Sequence, residues 1–142
     1  MSAYVPSDLR RRVRAHFHDH CAYCRSPEAL TVVTFEIEHI QPRSIGGATS
    51  FENLCLSCPS CNRYKSDRTF GSGDQKTHET ALFHPQRDVW TEHFSWNEDA
   101  TKVVGLTPEG QVTIDTLRMN RPQLIRVRRL WSVMGEHPPS VL

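Results

Sequence analysis

The order of apolar and polar residues predicts a helix, then two strands separated by a loop, then a second helix. Between residues 7 and 20, apolar side chains recur at helical spacing, which is typical of an amphipathic helix. β-branched residues crowd the stretch 31–37 and predict a first strand, and a shorter apolar stretch at 53–56 predicts a second one. A proline and two glycines make 41–50 a loop. Pro59 fits the first turn of a helix, where a missing amide hydrogen costs nothing.

The second half of the chain is predicted to be an extension of short strands and helices. Residues 71–80 are polar and contain glycine, which predicts a flexible connection. Short strands are predicted at 89–90, 94–96 and 102–104. The stretch 107–119 carries both a helix-opening Thr-Pro pair and strand-like alternation, so helix and strand both stay open there. A final helix capped by Asn120 is predicted from residue 121 to about 134. Its inward-facing residues are predicted to be Leu124, Val127, Leu130, Trp131 and Met134.

Length and charge limit what the protein can be. A chain of 142 residues fits a single domain, and its 17 Lys and Arg against 16 Asp and Glu give a formal charge of only +1. That near-neutral charge argues against a protein that covers nucleic acid through electrostatic attraction alone. No apolar run approaches the roughly 20 residues of a membrane span, and the first residues lack the apolar segment of a secretory signal. We therefore expect a cytoplasmic protein that is not inserted in a membrane.

Five cysteines point to a metal site rather than to disulfides. Thiols stay reduced in the cytoplasm, and an odd number of them does not pair completely. The spacing C-x2-C occurs at Cys21 and Cys24 and again at Cys58 and Cys61, and four thiolates about 2.3 Å from the ion complete a tetrahedral structural zinc site. Cys55 also stands at this spacing from Cys58, but it lies inside an apolar strand and is assigned to the core.

A second set of residues suits the hydrolysis of a phosphodiester bond. Glu38 directly precedes His39 near the end of a predicted strand, Asn53 begins the next strand, and Asn62 and Lys65 lie one helical turn apart. Carboxylate and amide oxygens bind hard divalent ions, and a neutral histidine takes a proton from water. The sequence therefore places metal-binding groups and a general base within one short segment.

These motifs together resemble the HNH endonucleases of the ββα-metal fold. The matching residues are Glu38-His39-Ile40-x-Pro42, Asn53-Leu54 and Cys58-x-x-Cys61-Asn62-x-x-Lys65, with the pair Cys21 and Cys24 upstream. The resemblance covers about residues 21–68 and implies an α+β protein of the zinc-knuckle subtype, similar to small stand-alone bacterial HNH proteins. The predicted parts of this single domain, 1–142, are a basic N-terminal helix at 7–20, a zinc-clipped ββα-metal core at 21–70, a connection at 71–81 and a strand and helix extension at 82–142.

The resemblance also implies a role for each matching residue. His39 is expected to activate the attacking water as general base, Glu38 to bind the catalytic divalent ion, and Asn53 to position the His39 imidazole and brace the loop. Asn62 stands where the family often has its last histidine, which makes this an H-N-N variant. An amide oxygen at this position favours a hard catalytic ion, Mg2+ or Mn2+.

Positive side chains are expected to hold the nucleic acid. Of the 17 cationic residues 14 are arginine, whose planar guanidinium suits phosphate recognition. Arg43, Arg63 and Lys65 are predicted to contact phosphate groups, although a solvent-facing helix lysine explains Lys65 nearly as well. The arginines of the final helix fit a DNA-contacting face and an ordinary charged helix surface about equally.

The activity that the resemblance implies is metal-dependent nicking or cleavage of DNA, which leaves 5′-phosphate and 3′-hydroxyl ends. One active site per chain means that a double-strand break calls for a homodimer or for two successive nicks. The alternative hypothesis is a zinc ribbon that binds nucleic acid or protein without catalysis. It explains the cysteines and arginines, but it gives no reason for Glu38 and His39 beside two asparagines at these spacings. The substrate's structure and the biological role stay open.

Overall fold

The computed structural model describes residues 4–72 and 79–140. Its first element is helix α1 (Ser7–His16). The helix buries Val13 against the core and leaves most of its arginines exposed. It ends four residues earlier than the predicted residue 20, because His18 and Asp19 adopt left-handed backbone angles, with φ of 53° and 55°. The turn that they form carries the chain directly into the first cysteine pair.

A hairpin and a helix form the centre of the molecule. Strands β1 (Glu36–His39) and β2 (Leu54–Ser57) pair antiparallel, and helix α2 (Pro59–Lys65) follows at once. The register sets Glu38 opposite Cys55. Strand β2 is buried along its whole length, and α1 packs against it while α2 packs against β1. The predicted strand, loop, strand and helix order is confirmed, as is the α+β class.

The first strand begins later than the sequence predicts. Of the stretch 31–37, only Glu36 and Ile37 pair with β2. Val32 is fully exposed, with a relative accessibility of 103%, and Val33 is exposed as well. These β-branched residues lie before the hairpin and find no strand to pair with in the described ranges. Their intrinsic preference is therefore overridden by their position in the fold.

The loop between β1 and β2 is folded tightly on itself. Two short 3-10 turns, Arg43–Ile45 and Phe51–Asn53, lie at its two ends. Gly47 packs so closely that a Cβ atom added there would lie 1.7 Å from the carbonyl oxygen of Gln41, so no larger residue fits without moving the backbone. The predicted loop at 41–50 thus has a defined shape, which fixes where β1 ends.

The extension begins with a small hairpin. Strands β3 (Phe70–Gly71) and β4 (Thr80–Ala81) pair at the two ends of the connection that was predicted to be flexible; residues 73–78 of that connection lie outside the described residues. Helix α3 (Trp90–His93) replaces the strand predicted at 89–90. Its Trp90 indole donates a hydrogen bond of 2.9 Å to the carbonyl of Tyr23 and so ties the extension to the first cysteine pair.

The remaining elements are two strands and two helices. Strands β5 (Phe94–Trp96) and β6 (Val103–Gly105) form an antiparallel hairpin and confirm two predicted strands. Helix α4 (Pro108–Leu117) settles the open stretch in favour of a helix, and the Thr107 hydroxyl caps it by accepting a 3.0 Å hydrogen bond from the Gly110 amide.

Helix α5 (Pro122–Val133) differs from its prediction in its cap and its buried face. Arg121 occupies the N-cap position, while the Asn120 side chain bonds both backbone groups of Val103. Leu124 and Trp131 are buried as predicted, whereas Leu130 and Met134 are exposed and Arg128 is buried in their place. Among the described helices, none is long and apolar enough to cross a membrane.

Candidate metal sites and catalytic groove

Four buried cysteines come together where the segment after helix α1 meets the beginning of helix α2. The Sγ atoms of Cys21, Cys24, Cys58 and Cys61 all lie within 4.8 Å of one another. The Cys58 thiol also accepts a hydrogen bond from the Cys61 amide at the first turn of α2, and the Ser26 hydroxyl lies 3.1 Å from Cys24 Sγ. Hydrogen bonds within the cluster, chiefly with Cys21, hold the pKa of the Cys24 thiol well below its ordinary value. This donor set fits a closed tetrahedral zinc site.

Cys55 stands apart from the four-cysteine cluster. It is fully buried in β2, where its Sγ lies 3.2 Å from Glu38 Oε2 and 3.8 Å from the Tyr23 hydroxyl. Burial raises its pKa well above the ordinary value for a thiol, so Cys55 stays protonated. The choice between the two overlapping C-x2-C pairs is thereby settled in favour of Cys58 with Cys61.

A groove of about 1010 Å³ runs beside the hairpin, between β1, the start of the loop and α2. Seven of the residues that line it carry groups relevant to phosphodiester chemistry: Arg10, Glu36, Glu38, His39, Arg43, Asn62 and Asp67. The fold thus brings the predicted base and the predicted metal ligands to one groove, and it adds two carboxylates, those of Glu36 and Asp67, that the sequence analysis did not single out.

His39 is held at the end of β1 with its ring half exposed. Its Nε2 atom lies 2.8 Å from the Thr49 hydroxyl of the facing loop. Burial and the nearby positive charge of Arg43 lower the pKa of the imidazole below its ordinary value near 6.5. His39 is therefore neutral at pH 7, which is the form that accepts a proton. Thr49 has no neighbouring motif in the sequence, so only the fold reveals it.

Asn53 braces the loop. Its Oδ1 accepts a 2.8 Å hydrogen bond from the Gln41 amide, and its Nδ2 donates to the carbonyls of Gln41 and Ala48 at 3.0 and 2.8 Å. These three bonds join the two ends of the loop directly behind β1. Among the described residues, the His39 imidazole is hydrogen-bonded by Thr49 and not by Asn53, so the predicted positioning of His39 by Asn53 would be indirect, through the loop.

Glu38 and Lys65 form a buried ion pair under the hairpin. Their side chains are 5% and 2% exposed, and the Lys65 ammonium lies 2.9 Å from Glu38 Oε1 and donates to the Ile40 carbonyl at 2.9 Å. Burial is the main cause that raises the pKa of Glu38, and Lys65 opposes it. The ammonium faces the core and not solvent, so Lys65 is not placed to make the predicted contact with a phosphate group. The role of Glu38 as ligand of the catalytic ion stays a prediction.

Glu36 and Asn62 face each other across the groove. The Asn62 amide donates a hydrogen bond to the Glu36 carboxylate, which is exposed to solvent. Two oxygen-bearing side chains at this point fit a hard divalent ion. Alternation along β1 is the signal that could have pointed to Glu36, because residues two apart in a strand share a face and Glu36 therefore lies on the same face as Glu38.

A match to a known protein family covers the segment that contains these sites. The model of the HNH endonuclease family matches residues 21–68, the segment that contains the four-cysteine cluster, the hairpin and α2. Residues 21–68 are an HNH domain. The match covers about a third of the chain, and the resemblance predicted from the sequence is confirmed for this segment.

Two curated relatives extend the similarity beyond the HNH domain. Septu protein PtuB of Bacillus mycoides strain KBAB4 is 25% identical over 155 residues, which cover 89% of this chain and 51% of PtuB. Septu protein PtuA of the same organism is 26% identical over 149 residues, which cover 84% of this chain and 20% of PtuA. The chain therefore spans about half the length of one relative and a fifth of the other. No solved structure matches the chain.

The buried ion pair gives the HNH domain a measurable pH dependence. Replacing Lys65 with methionine leaves the Glu38 charge buried and unpaired, and we expect the free energy of unfolding to fall by about 3 to 5 kcal/mol at neutral pH. Burial already raises the pKa of Glu38, and loss of Lys65 raises it further, so the folded variant binds a proton that the unfolded chain releases. Its stability is therefore restored as the pH falls toward the ordinary pKa of glutamate.

Urea unfolding of the parent and of Lys65→Met at pH 7.5 and pH 5 measures this difference. The double variant Lys65→Met with Glu38→Gln is the matched control, because it removes both charges; it should recover most of the lost stability and lose the pH dependence. A single variant that is as stable as the parent at pH 7.5 would show that the ion pair is not formed.

Proposed function

We propose that the chain is a metal-dependent endonuclease that hydrolyses DNA phosphodiester bonds, with His39 as general base and one divalent ion beside it. The observation that carries this proposal is the shared groove: the neutral imidazole of His39, the carboxylate of Glu36 and the amide of Asn62 line one surface of the HNH domain. The names of the relatives PtuA and PtuB do not state a substrate. The proposal that the substrate is DNA is therefore supported by the match to the HNH endonuclease family alone.

Each residue of the groove has a separate proposed role in hydrolysis. His39, neutral at pH 7, accepts a proton from the attacking water, while Thr49 holds the ring and Asn53 holds the loop that carries Thr49. Asn62 and a glutamate carboxylate would hold a Mg2+ or Mn2+ ion, which when bound would stabilise negative charge on the phosphate. Arg43 lines the groove and is placed to attract the phosphate, since it makes no ion pair with a described residue.

A metal-binding measurement distinguishes Glu36 from Glu38 as the ligand of the catalytic ion. Glu36 is exposed beside Asn62, whereas Glu38 has to leave Lys65 first, so we expect Glu36→Gln to weaken Mn2+ binding about tenfold or more and Glu38→Gln to weaken it less. Electron paramagnetic resonance titration of Mn2+ into zinc-loaded protein measures free ion without requiring activity. Glu52→Gln, at a glutamate outside the groove, is the control. The opposite order of the two variants would assign the ion to Glu38.

A nicking assay distinguishes the nuclease from a zinc ribbon that only binds. Supercoiled plasmid is incubated with the zinc-loaded protein alone, with Mg2+, with Mn2+, and with EDTA followed by excess Mg2+. Zinc content is measured before and after chelation, so that loss of the structural ion is not mistaken for loss of the catalytic one. Relaxed plasmid in the Mg2+ or Mn2+ samples supports the proposal. Binding without nicking under every condition favours the ribbon.

DNA and a second copy of the chain are the proposed partners. A single groove of this kind would hydrolyse one strand at a time, so a homodimer would join two grooves for a double-strand break. Sedimentation with and without a DNA duplex tests this prediction, and linear product formed without a nicked intermediate is its expected signature in the same plasmid assay.

A further inference from the structure

Three arginines converge on one tyrosine at the back of helix α2. The guanidinium carbons of Arg118, Arg63 and Arg121 lie 4.8, 5.3 and 5.8 Å from the centre of the Tyr64 ring. Arg63 belongs to α2, whereas Arg118 and Arg121 come from the connection between α4 and α5. The negative face of an aromatic ring attracts cations, but the three positive charges repel one another. The fold has thus concentrated like charge at one place. We call this group the Tyr64 arginine cluster.

No carboxylate in residues 4–72 and 79–140 forms an ion pair with the Tyr64 arginine cluster, although Arg121 also lies beside the Cys61 thiol. Asp115 lines the same depression, and its carboxylate accepts a hydrogen bond from Gln111. Hydrogen bonding with Arg63, supported by the charges of the other two arginines, lowers the pKa of the half-buried Tyr64 phenol. Positive potential therefore faces solvent at this point.

The surroundings of the cluster are open and suited to an anion. A depression of about 650 Å³, lined by Tyr64, Arg118 and Arg121, lies at the beginning of α5. This twelve-residue helix has no side chain that caps its first amides. The positive end of the helix therefore adds to the field of the arginines.

The cluster and the groove lie on opposite sides of helix α2. Asn62 and Tyr64 are two residues apart on α2, which places their side chains roughly 200° apart around the helix. A helix with its side chains is about 10–12 Å across, and successive phosphates of one strand are about 3.4 Å apart along the duplex axis. Because the two side chains lie on opposite sides of the helix, a strand whose scissile phosphate lies in the groove has to pass around it, a path of roughly 16 to 19 Å, and would reach the cluster about five nucleotides away.

We propose that the Tyr64 arginine cluster binds a backbone phosphate of the nucleic acid a few nucleotides from the bond that is cut. The inference rests on the proposed nuclease function and deepens it. It assigns Arg118 and Arg121, which lie outside the HNH domain, to the substrate interface and gives the extension a part in holding the substrate. Tyr64 acts as the platform on which the guanidinium groups are held in the absence of the phosphate.

Binding measured without cleavage tests the cluster. In a His39→Ala background, fluorescence anisotropy with a labelled duplex gives the Kd from 50 to 300 mM KCl. Arg118→Asn suits the left-handed backbone of residue 118, where φ is 51°, and Arg63→Gln keeps a good helix former on α2. We expect each variant to raise Kd about fivefold to tenfold at 100 mM salt and to reduce the slope of log Kd against log salt by about one.

Lys102→Gln removes one exposed positive charge outside the cluster and is the matched control. Zinc content and circular dichroism establish that each variant is folded. Arg121 is not used as the test, because it also lies beside Cys61. If the parent nicks plasmid but Arg118→Asn and Arg63→Gln bind as the Lys102→Gln control does, the cluster is not a phosphate site and the nuclease proposal stands. If the parent neither binds nor nicks, the nuclease proposal fails together with the cluster.

Discussion

Replacing His39 with alanine is expected to lower the rate of metal-dependent plasmid nicking by two to four orders of magnitude. A positioned general base contributes about 10² to 10⁴ to a rate, and the imidazole of His39 is the base that the groove presents. The side chain is half exposed and contacts Thr49 at the edge of the loop, so its removal should leave the fold and the zinc content unchanged. Full residual nicking would remove His39 from the mechanism.

The pH dependence of the parent gives this prediction a second measurement. Burial and Arg43 lower the pKa of His39 below its ordinary value, so more than half of the imidazole is neutral at pH 6.5. Nicking at saturating Mg2+ should therefore keep more than half of its maximal rate at that pH and fall below half only at lower pH. His18→Asn, which alters an exposed histidine on a left-handed backbone, is the control for nonspecific effects of losing an imidazole. Thr49→Ala should lower the rate less than His39→Ala does.

The parts of the site that follow local rules are predictable from sequence. The spacing of the two C-x2-C pairs is enough to predict a zinc site. Pro59 beside Cys58 marks the start of α2, because proline and a capping residue favour the first turn of a helix. Capping also decides between helix and strand for the stretch 107–119. Thr107 and Pro108 begin helix α4 despite the strand-like alternation within it.

The parts that depend on tertiary contacts are not predictable in this way. Nothing local to Lys65 shows that its ammonium meets Glu38 inside the core, or that Thr49 reaches the ring of His39. Arg128 is the clearest case: a helical arginine reads as a solvent-facing charge, yet it is fully buried and donates to the Thr101 carbonyl at 3.0 Å. The face of α5 that packs inward is therefore shifted from the one that its apolar residues predict.

Loss of one zinc ligand is expected to unfold the protein. Structural zinc contributes about 10 to 16 kcal/mol of apparent binding free energy in small zinc folds, whereas a whole domain is stable by about 5 to 15 kcal/mol. Cys61 joins the start of α2 to the cysteine pair at residues 21 and 24, and these cysteines are wholly buried. Cys61→Ser should therefore abolish zinc binding, remove the cooperative thermal transition and abolish nicking together.

Cys55→Ala is the control that makes the zinc test specific. Cys55 is as deeply buried as Cys61 and also carries a thiol, but it contacts Glu38 and Tyr23 rather than the four-cysteine cluster. Its replacement should leave about one equivalent of zinc bound and lower stability only by the loss of a small buried side chain, about 1 kcal/mol. Zinc release with a chromogenic chelator, followed beside far-ultraviolet circular dichroism, measures both variants. If Cys61→Ser loses zinc but keeps the parent spectrum and melting temperature, the core of the HNH domain is held by packing alone, and the four cysteines serve some purpose other than folding.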